Sequence, residues 1–240
     1  MTKTIVIFLM ALATTTVVSC NSVSQVPDNP FEEIKTVAVT PFLNSANIDI
    51  DGIQAGEIFA SELVKMKGMN VVRPKTLIEE VTANNLSVST PEDLVKLAKR
   101  VKADAIITGI ITEYNPYYPR KKVGMSIQMF SVKQNTRSSL QDIQQLVKSG
   151  KPFAIKDEAQ MRNTILSFEK IFDCENSVTY TELERYANSY TDSHAVHSGI
   201  DAFLRYTDKY LMFVSYQMIN ELVAMTHEQQ AEEWRMKNEK

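Results

Sequence analysis

Residues 103–114, ADAIITGIITEY, constrain the fold more than any other stretch of the chain. Six of the twelve positions are isoleucine or threonine, and side chains branched at Cβ suit a pleated, well-packed backbone. The run reads as a central strand. A central strand obliges the rest of the chain to supply partners at its edges and layers over its faces.

The flanking sequence supplies both. Residues 35–42 form a short β-rich run ended by proline, which predicts a buried strand. Asp51 with Gln54 three residues on marks a helix start, and Ala55, Phe59, Ala60, Leu63 and Met66 recur on one face. Gly68 is placed to stop that helix. Residues 69–73 predict a second strand closed by Pro74. Thr90, Pro91, Glu92 and Asp93 combine a hydroxyl cap, a first-turn proline and acids at the positive helix end; Leu94, Leu97, Ala98 and Val101 are the stripe that follows. Residues 115–122, NPYYPRKK, turn the chain, and 123–132 return as an alternating partner strand. Strand, helix, strand, helix, strand, strand is an α/β layout, α+β-like, with a mixed β-sheet and helices packed on it. Each fully buried Leu, Ile or Phe contributes about 1.5–3 kcal/mol, enough for two stripes to hold their helices on the sheet.

Beyond residue 133 the pattern changes. Residues 138–147 look helical, 164–172 alternate as one more strand, and Asp173 and Asn176 open a helix carrying Leu183, Tyr186, Ala187 and Tyr190. After a polar break at 191–199, a long final helix is predicted. Ile200, Phe203, Leu204, Leu211, Val214, Met218, Leu222 and Met225 make its stripe, widened by Tyr206, Tyr210, Phe213, Tyr216 and Ile219. Its charged end, 227–240, reads as a solvated, fraying extension. The chain thus divides into a leader (1–19), a tether (20–34), an α/β sheet domain (35–133) and a mostly helical part (134–240) packing on it. A length of 240 residues with only 7 glycines suits one or two compact domains.

The leader carries one lysine, a short apolar run far below the ~20 residues of a membrane span, and small residues before Cys20; this is the pattern of a secretory signal. Its end, Val17-Val18-Ser19-Cys20, resembles the lipobox of bacterial lipoproteins, with Val17 where leucine is usual. The resemblance implies that Cys20 becomes a lipid-modified amino terminus bearing a diacylglyceryl group, usually with a third acyl chain such as palmitate. Two or more chains anchor stably. Asn21 after the cysteine resembles the pattern of lipoproteins sent to the outer membrane. An ordinary cleaved signal with an incidental cysteine is the alternative. Residues 21–34 are polar and proline-punctuated, hence a tether.

Residues 37–42, 71–74 and Leu97-Ala98 followed by Ala103-Asp104-Ala105-Ile106-Ile107-Thr108-Gly109 together resemble periplasmic domains of bacterial envelope lipoproteins. The families are the curli-secretion lipoproteins, the penicillin-binding-protein activators and the amino-terminal domain of the Tol-system β-propeller protein. The likeness covers about 35–133 and brings no catalytic residues; it implies assembly, tethering or activation of other proteins. Curli-type subunits contribute paired transmembrane strands of ~9–11 residues. The stretch 133–163 instead holds a polar helix-like segment and Gly150-Lys-Pro-Phe153, which argues against a pore and leaves a ring without a barrel.

Candidate sites are few. The loop Tyr114, Tyr117, Tyr118 and Arg120 is an aromatic and basic cluster: a recognition loop or a proline-shaped turn. His194 and His197 have a two-residue gap that some zinc sites use, without further ligands nearby; a solvated linker explains them, and no metal or cofactor is implied. With Cys20 acylated, Cys174 is a lone thiol with no disulfide partner, read as a small buried hydrophobe. Tyr206, Tyr210 and Tyr216 read as core residues with satisfied hydroxyls. Glu57, Glu62, Glu79 and Glu80 fall on helix faces where solvation explains them. The leader holds one of the 26 basic residues, Lys3, and none of the 29 acidic ones, so the mature chain carries a net charge of −4; nucleic acid, which wants a concentrated basic surface, is not an expected partner. Enzyme motifs are absent. The expectation is a non-catalytic adaptor or assembly factor, lipid-anchored in the outer membrane, facing the periplasm and binding an envelope protein. The alternatives are a subunit of an oligomeric export channel and a cell-wall enzyme without a readable motif.

Overall fold

The computed structural model describes residues 27–133, 164–190 and 199–238. The leader, Cys20, the first part of the tether, the expected helix at 138–147, Gly150-Lys-Pro-Phe153 and both loop histidines lie outside the described residues.

The expected mixed sheet is present. Strands β1 (Thr36–Val39), β2 (Leu43–Asn44), β3 (Asn70–Val72), β4 (Ala105–Asn115), β5 (Lys122–Ser131) and β6 (Thr164–Asp173) form one sheet of order β3-β1-β4-β5-β6, with β2 also on β4. β1 pairs parallel with β3 and β4, and β4-β5-β6 are antiparallel. The run that demanded partners lies at the centre. Ala105, Ile106, Ile107 and Ile111 of β4 are all at most 1% exposed.

Glycine at position 109 has a packing reason. A Cβ there would sit 2.6 Å from the ring of Phe42, so its absence lets that ring lie flat on the strand against Phe59, with centroids 5.3 Å apart.

Among the described residues six helices pack on the sheet: α1 (Gly52–Leu63), α2 (Pro74–Ala83), α3 (Pro91–Arg100), α4 (Ser177–Asn188), α5 (Gly199–Arg205) and α6 (Thr207–Asn238). Their starts follow the sequence signals. The Asp51 carboxylate accepts from Ile53 N and Gln54 N, Thr90 and Asp93 close a reciprocal capping box, and Asn176 caps α4. All five predicted stripe residues of α1 and its extension, Ala55, Phe59, Ala60, Leu63 and Met66, are buried.

One sheet face meets α1, α4, α5 and α6. There Val37, Val39, Ile107, Ile111, Val123, Met125, Ile127, Met129, Leu166 and Phe172 pack with Phe59, Leu63, Tyr186, Phe213, Val214 and Met218. The opposite face carries a smaller cluster. Ala38, Ile106 and Phe130 meet Leu77 of α2 and Val95, Leu97 and Ala98 of α3. No helix of the described residues is long and apolar enough to cross a membrane.

Several expectations need correction. Pro74 does not merely close a strand; it occupies the first turn of α2, a helix missing from the predicted layout. Proline fits that position because its missing N–H would be unpaired there anyway. The α1 helix ends at Leu63, and Gly68, at φ +78°, turns the chain into β3 rather than terminating the helix. The single long final helix is two, α5 and α6, separated at Tyr206. Its charged end is helical to Asn238 and almost wholly exposed.

Three acids assigned to solvent are engaged, among them Glu80, which accepts from Arg100 Nε at 2.8 Å and Asn84 Nδ2 at 2.9 Å. Glu57 accepts from Lys75 N at 3.0 Å and Arg73 Nη1 at 3.2 Å, so a side chain of α1 satisfies the first turn of α2. The Glu62 side chain is 1% exposed and holds Lys65 Nζ at 2.7 Å. The end of the expected tether is docked as well. Phe31 and Ile34 are buried in the larger core, and Asn29 Nδ2 donates to the carbonyl of Ile34 at 2.6 Å. Two apolar side chains outweighed a polar, proline-rich local composition.

Candidate functional site

The β4–β5 turn joins two long antiparallel strands of 11 and 10 residues. Asn115, the last residue of β4, accepts from Tyr117 N through its side-chain oxygen at 3.1 Å, an Asx-type closure of the turn. The Tyr118–Pro119 peptide bond is cis.

Lys121 holds this turn to the body. Residues 123, 125, 127 and 129 of β5 point into the larger core, and Lys121 continues their alternation by one step. Its residue exposure is 1%. Its ammonium donates to the carbonyl of Pro116 at 3.0 Å and to Thr207 Oγ1 at 3.1 Å. Its own carbonyl accepts from Cys174 N at 3.0 Å. The turn is thereby fastened to itself, to the start of α6 and to the residue after β6. The docking point coincides with the break between α5 and α6.

Burial pushes the Lys121 ammonium below its usual range, against the opposing pull of the Asp208 carboxylate. Cys174 is free and buried. Burial pushes its thiol up, so it stays protonated and packs as a small apolar group, not as an activated nucleophile. Tyr210 is 1% exposed; its hydroxyl donates to the carbonyl of Phe172 at 3.1 Å, and burial raises its phenol.

The outer surface of the turn is aromatic and cationic. Tyr117 and Tyr118 are 67% and 51% exposed. Arg205 stacks over the Tyr118 ring at 4.6 Å from its centroid while its Nε donates to Asp201 at 2.7 Å. Asp201, through that hydrogen bond, holds the guanidinium more basic than usual. Arg120 is exposed and reaches Glu175 at 3.1 Å. Lys122 bridges Glu113 at 2.9 Å and Asp173 at 3.6 Å, and the Glu113 hydrogen bond raises its ammonium.

The structure therefore brings together three of the four residues singled out in sequence, Tyr117, Tyr118 and Arg120. Tyr114 stands apart: it is half-buried and packs against the larger core. Tyr206 is corrected in the other direction. Expected in the core, it is 49% exposed beside Arg205. Lys121, Arg205 and Tyr206 are the residues that sequence reasoning missed. The period-two pattern of β5 extended by one residue would have turned Lys121 inward; nothing local links Arg205 to the turn. Among the described residues no group of three or more His, Cys, Asp or Glu side chains could hold a metal. Exposed tyrosines beside guanidinium groups offer rigid amphipathic contact area at small entropic cost.

No family model matches the chain, and no curated protein matches it. Among solved structures, the LpoB C-terminal domain from Salmonella enterica is similar at 13% identity, over 57% of this chain and 81% of that one, with a TM-score of 0.39. Lipoprotein GNA1162 from Neisseria meningitidis is similar at 15% identity, over 64% and 95%, with a TM-score of 0.39. The hypothetical protein CT253 from Chlamydia trachomatis is similar at 9% identity, over 80% and 98%, with a TM-score of 0.41. Likenesses of this size carry no argument about function.

Proposed function

We propose that the protein is a non-catalytic adaptor or assembly factor of the bacterial envelope, anchored by lipid at Cys20 on the periplasmic face of the outer membrane. In this reading the β4–β5 turn takes the partner, an envelope protein. Tyr117, Tyr118 and Arg120 form the contact, with Arg205 and Tyr206 beside them. The observation that carries the binding role is the exposed aromatic and guanidinium cluster clamped to the body by the buried Lys121 ammonium. Its anchors are held out before any partner arrives, which reduces the entropic cost of docking. The leader and its resemblance to a lipobox support the anchor.

Two measurements test the two halves separately. Cys20→Ala should move the protein from the membrane fraction to the soluble one; a variant that stays membrane-bound and lipid-labelled removes the anchor. A photo-crosslinking residue at Tyr117 should capture a defined envelope protein, and Tyr118→Ala with Arg120→Ala should lower that yield at least ~10-fold, as expected when interface anchors of ≥ ~2 kcal/mol are lost. Undiminished capture would remove the turn from the interface. Native mass in mild detergent separates an adaptor from a closed ring of many copies.

A further inference from the structure

The last turns of α6 lie beside the amino-terminal arm of the folded body. Gln230 Nε2 donates to the carbonyl of Pro30 at 2.9 Å. In the same arm, the carbonyl of Pro27 accepts from Lys67 N at 3.2 Å. Trp234 follows Gln230 by four residues and Lys237 follows Trp234 by three, so all three fall on one side of the helix. Trp234 is 68% exposed, more than any other large hydrophobic side chain among the described residues.

We infer that this end of α6 rests on a lipid surface, with the Trp234 indole in the headgroup region of the membrane that holds the acyl chains of Cys20. The inference rests on the lipid anchor proposed above. Its first support is the length of chain between the anchor and the body. Six residues separate Cys20 from Pro27, so even fully extended the link reaches at most roughly 25 Å. Pro27 is kept within that distance of the anchor, and Pro30, with the turn of α6 bonded to it, lies only three residues further along the arm.

The second support is the chemistry of the tip. An indole has an apolar ring and a polar N–H, and it favours the boundary between acyl chains and water. Charge is graded along the same turns. Glu232 and Glu233 precede Trp234, whereas Arg235 and Lys237 follow it within the described residues, both exposed. Lys67, beside the arm, has a side chain 72% exposed but stands 4.0 Å from the Asp28 carboxylate of the arm, which offsets its charge. At the helix tip the exposed Arg235 and Lys237 complement the negative surface of anionic lipid.

The chain contains one tryptophan, so its fluorescence reports on position 234 alone. Full-length protein is extracted from the cell envelope in mild detergent. It is then reconstituted into vesicles of phosphatidylethanolamine and phosphatidylglycerol, a fraction of them brominated on the upper acyl chain. Flotation reads the anchor; tryptophan emission reads the docking. The expected result is protein that floats, with emission quenched by the brominated lipid and shielded from acrylamide in the water. Trp234→Phe should abolish the signal and leave flotation unchanged. Protein that floats with unquenched, acrylamide-accessible emission overturns the docking and leaves the anchor standing. Emission shielded from acrylamide yet unquenched by brominated lipid means that protein covers the indole, and overturns the docking too. Protein that does not float overturns both.

Discussion

The two faces of the sheet are built on different scales. One is covered by α1, α4, α5 and α6 and joins residues from Phe31 to Leu222 in a continuous apolar cluster. The other is covered by α2 and α3 over β1, β4 and the end of β5, and among the described residues its cluster takes nothing from β6. Where that second face continues onto β5 and β6 the side chains are small or polar except for the exposed Ile171: Ser126, Gln128 and Ser167 are half-buried and Glu169 is exposed. The first face holds the whole domain together, whereas the second holds two local helices. The candidate site sits with the first: Lys121 reaches Thr207 of α6, so the turn is tied to the element that closes the larger core.

Core truncations probe that difference most strongly. Phe59→Ala, in a residue with 0% exposure, should cost about 3–5 kcal/mol and lower the denaturation midpoint of the entire domain. Leu77→Ala on the other face should fall near the low end of the Leu→Ala range, about 2–3 kcal/mol, because half-buried Ile78 and Val81 leave room to relax. Urea titrations of the two variants decide the matter, and an equal or larger loss for Leu77→Ala would break the comparison.

Gly109→Ala sharpens it within the larger face. The added methyl must displace the Phe42 ring, which is 3% exposed and packed on Phe59. Overpacking of this kind costs about 1–3 kcal/mol. Combining it with Phe42→Leu should recover part of the loss, so the double-mutant coupling energy is the quantity to measure.

The smallest effect belongs to α3. Thr90→Ala should cost about 1 kcal/mol, read as faster amide exchange in α3 with α6 unchanged. Hydrogen bonds from Thr90, then Lys96 and Ser89, hold the Asp93 carboxyl below its ordinary value of 3.8. The folded state therefore favours the ionised form. Its contribution is complete above that ordinary value and is lost as pH falls through the lowered one. Protection of α3 should decline in acid over that window, and Asp93→Asn should abolish the dependence.

What was legible in the sequence was local. The β-branched run at 103–114, the caps at Asp51, Thr90 and Asn176 and the α1 stripe depend on neighbours within a few residues, and each has its expected place. The features that escaped depend on distant partners. Glu57 serves α2 from another helix, Arg205 finds Tyr118 across the fold, and Phe31 and Ile34 are buried only because the larger core reaches them. At the turn, sequence supplied the exposed tyrosines and Arg120 but could not separate Tyr114 from them. Strand alternation turns alternate residues inward, yet where β4 bends is set by the register shift between Ile111 and Glu113.

The contact of Gln230 with Pro30 joins residues 200 positions apart, and this bears on the order of folding. A chain made from its amino end presents β1 through β5 long before α6 exists. Until then Met125, Ile127 and Met129 of the central hairpin lack the residues Phe213, Val214 and Met218 that complete their core. Contacts so distant in sequence form slowly because a long loop must close first, and the waiting apolar surface is the kind that associates with other chains. The last helix is thus the timing element of the fold: the β4–β5 turn gains its Thr207 clasp only after almost the whole chain has been made.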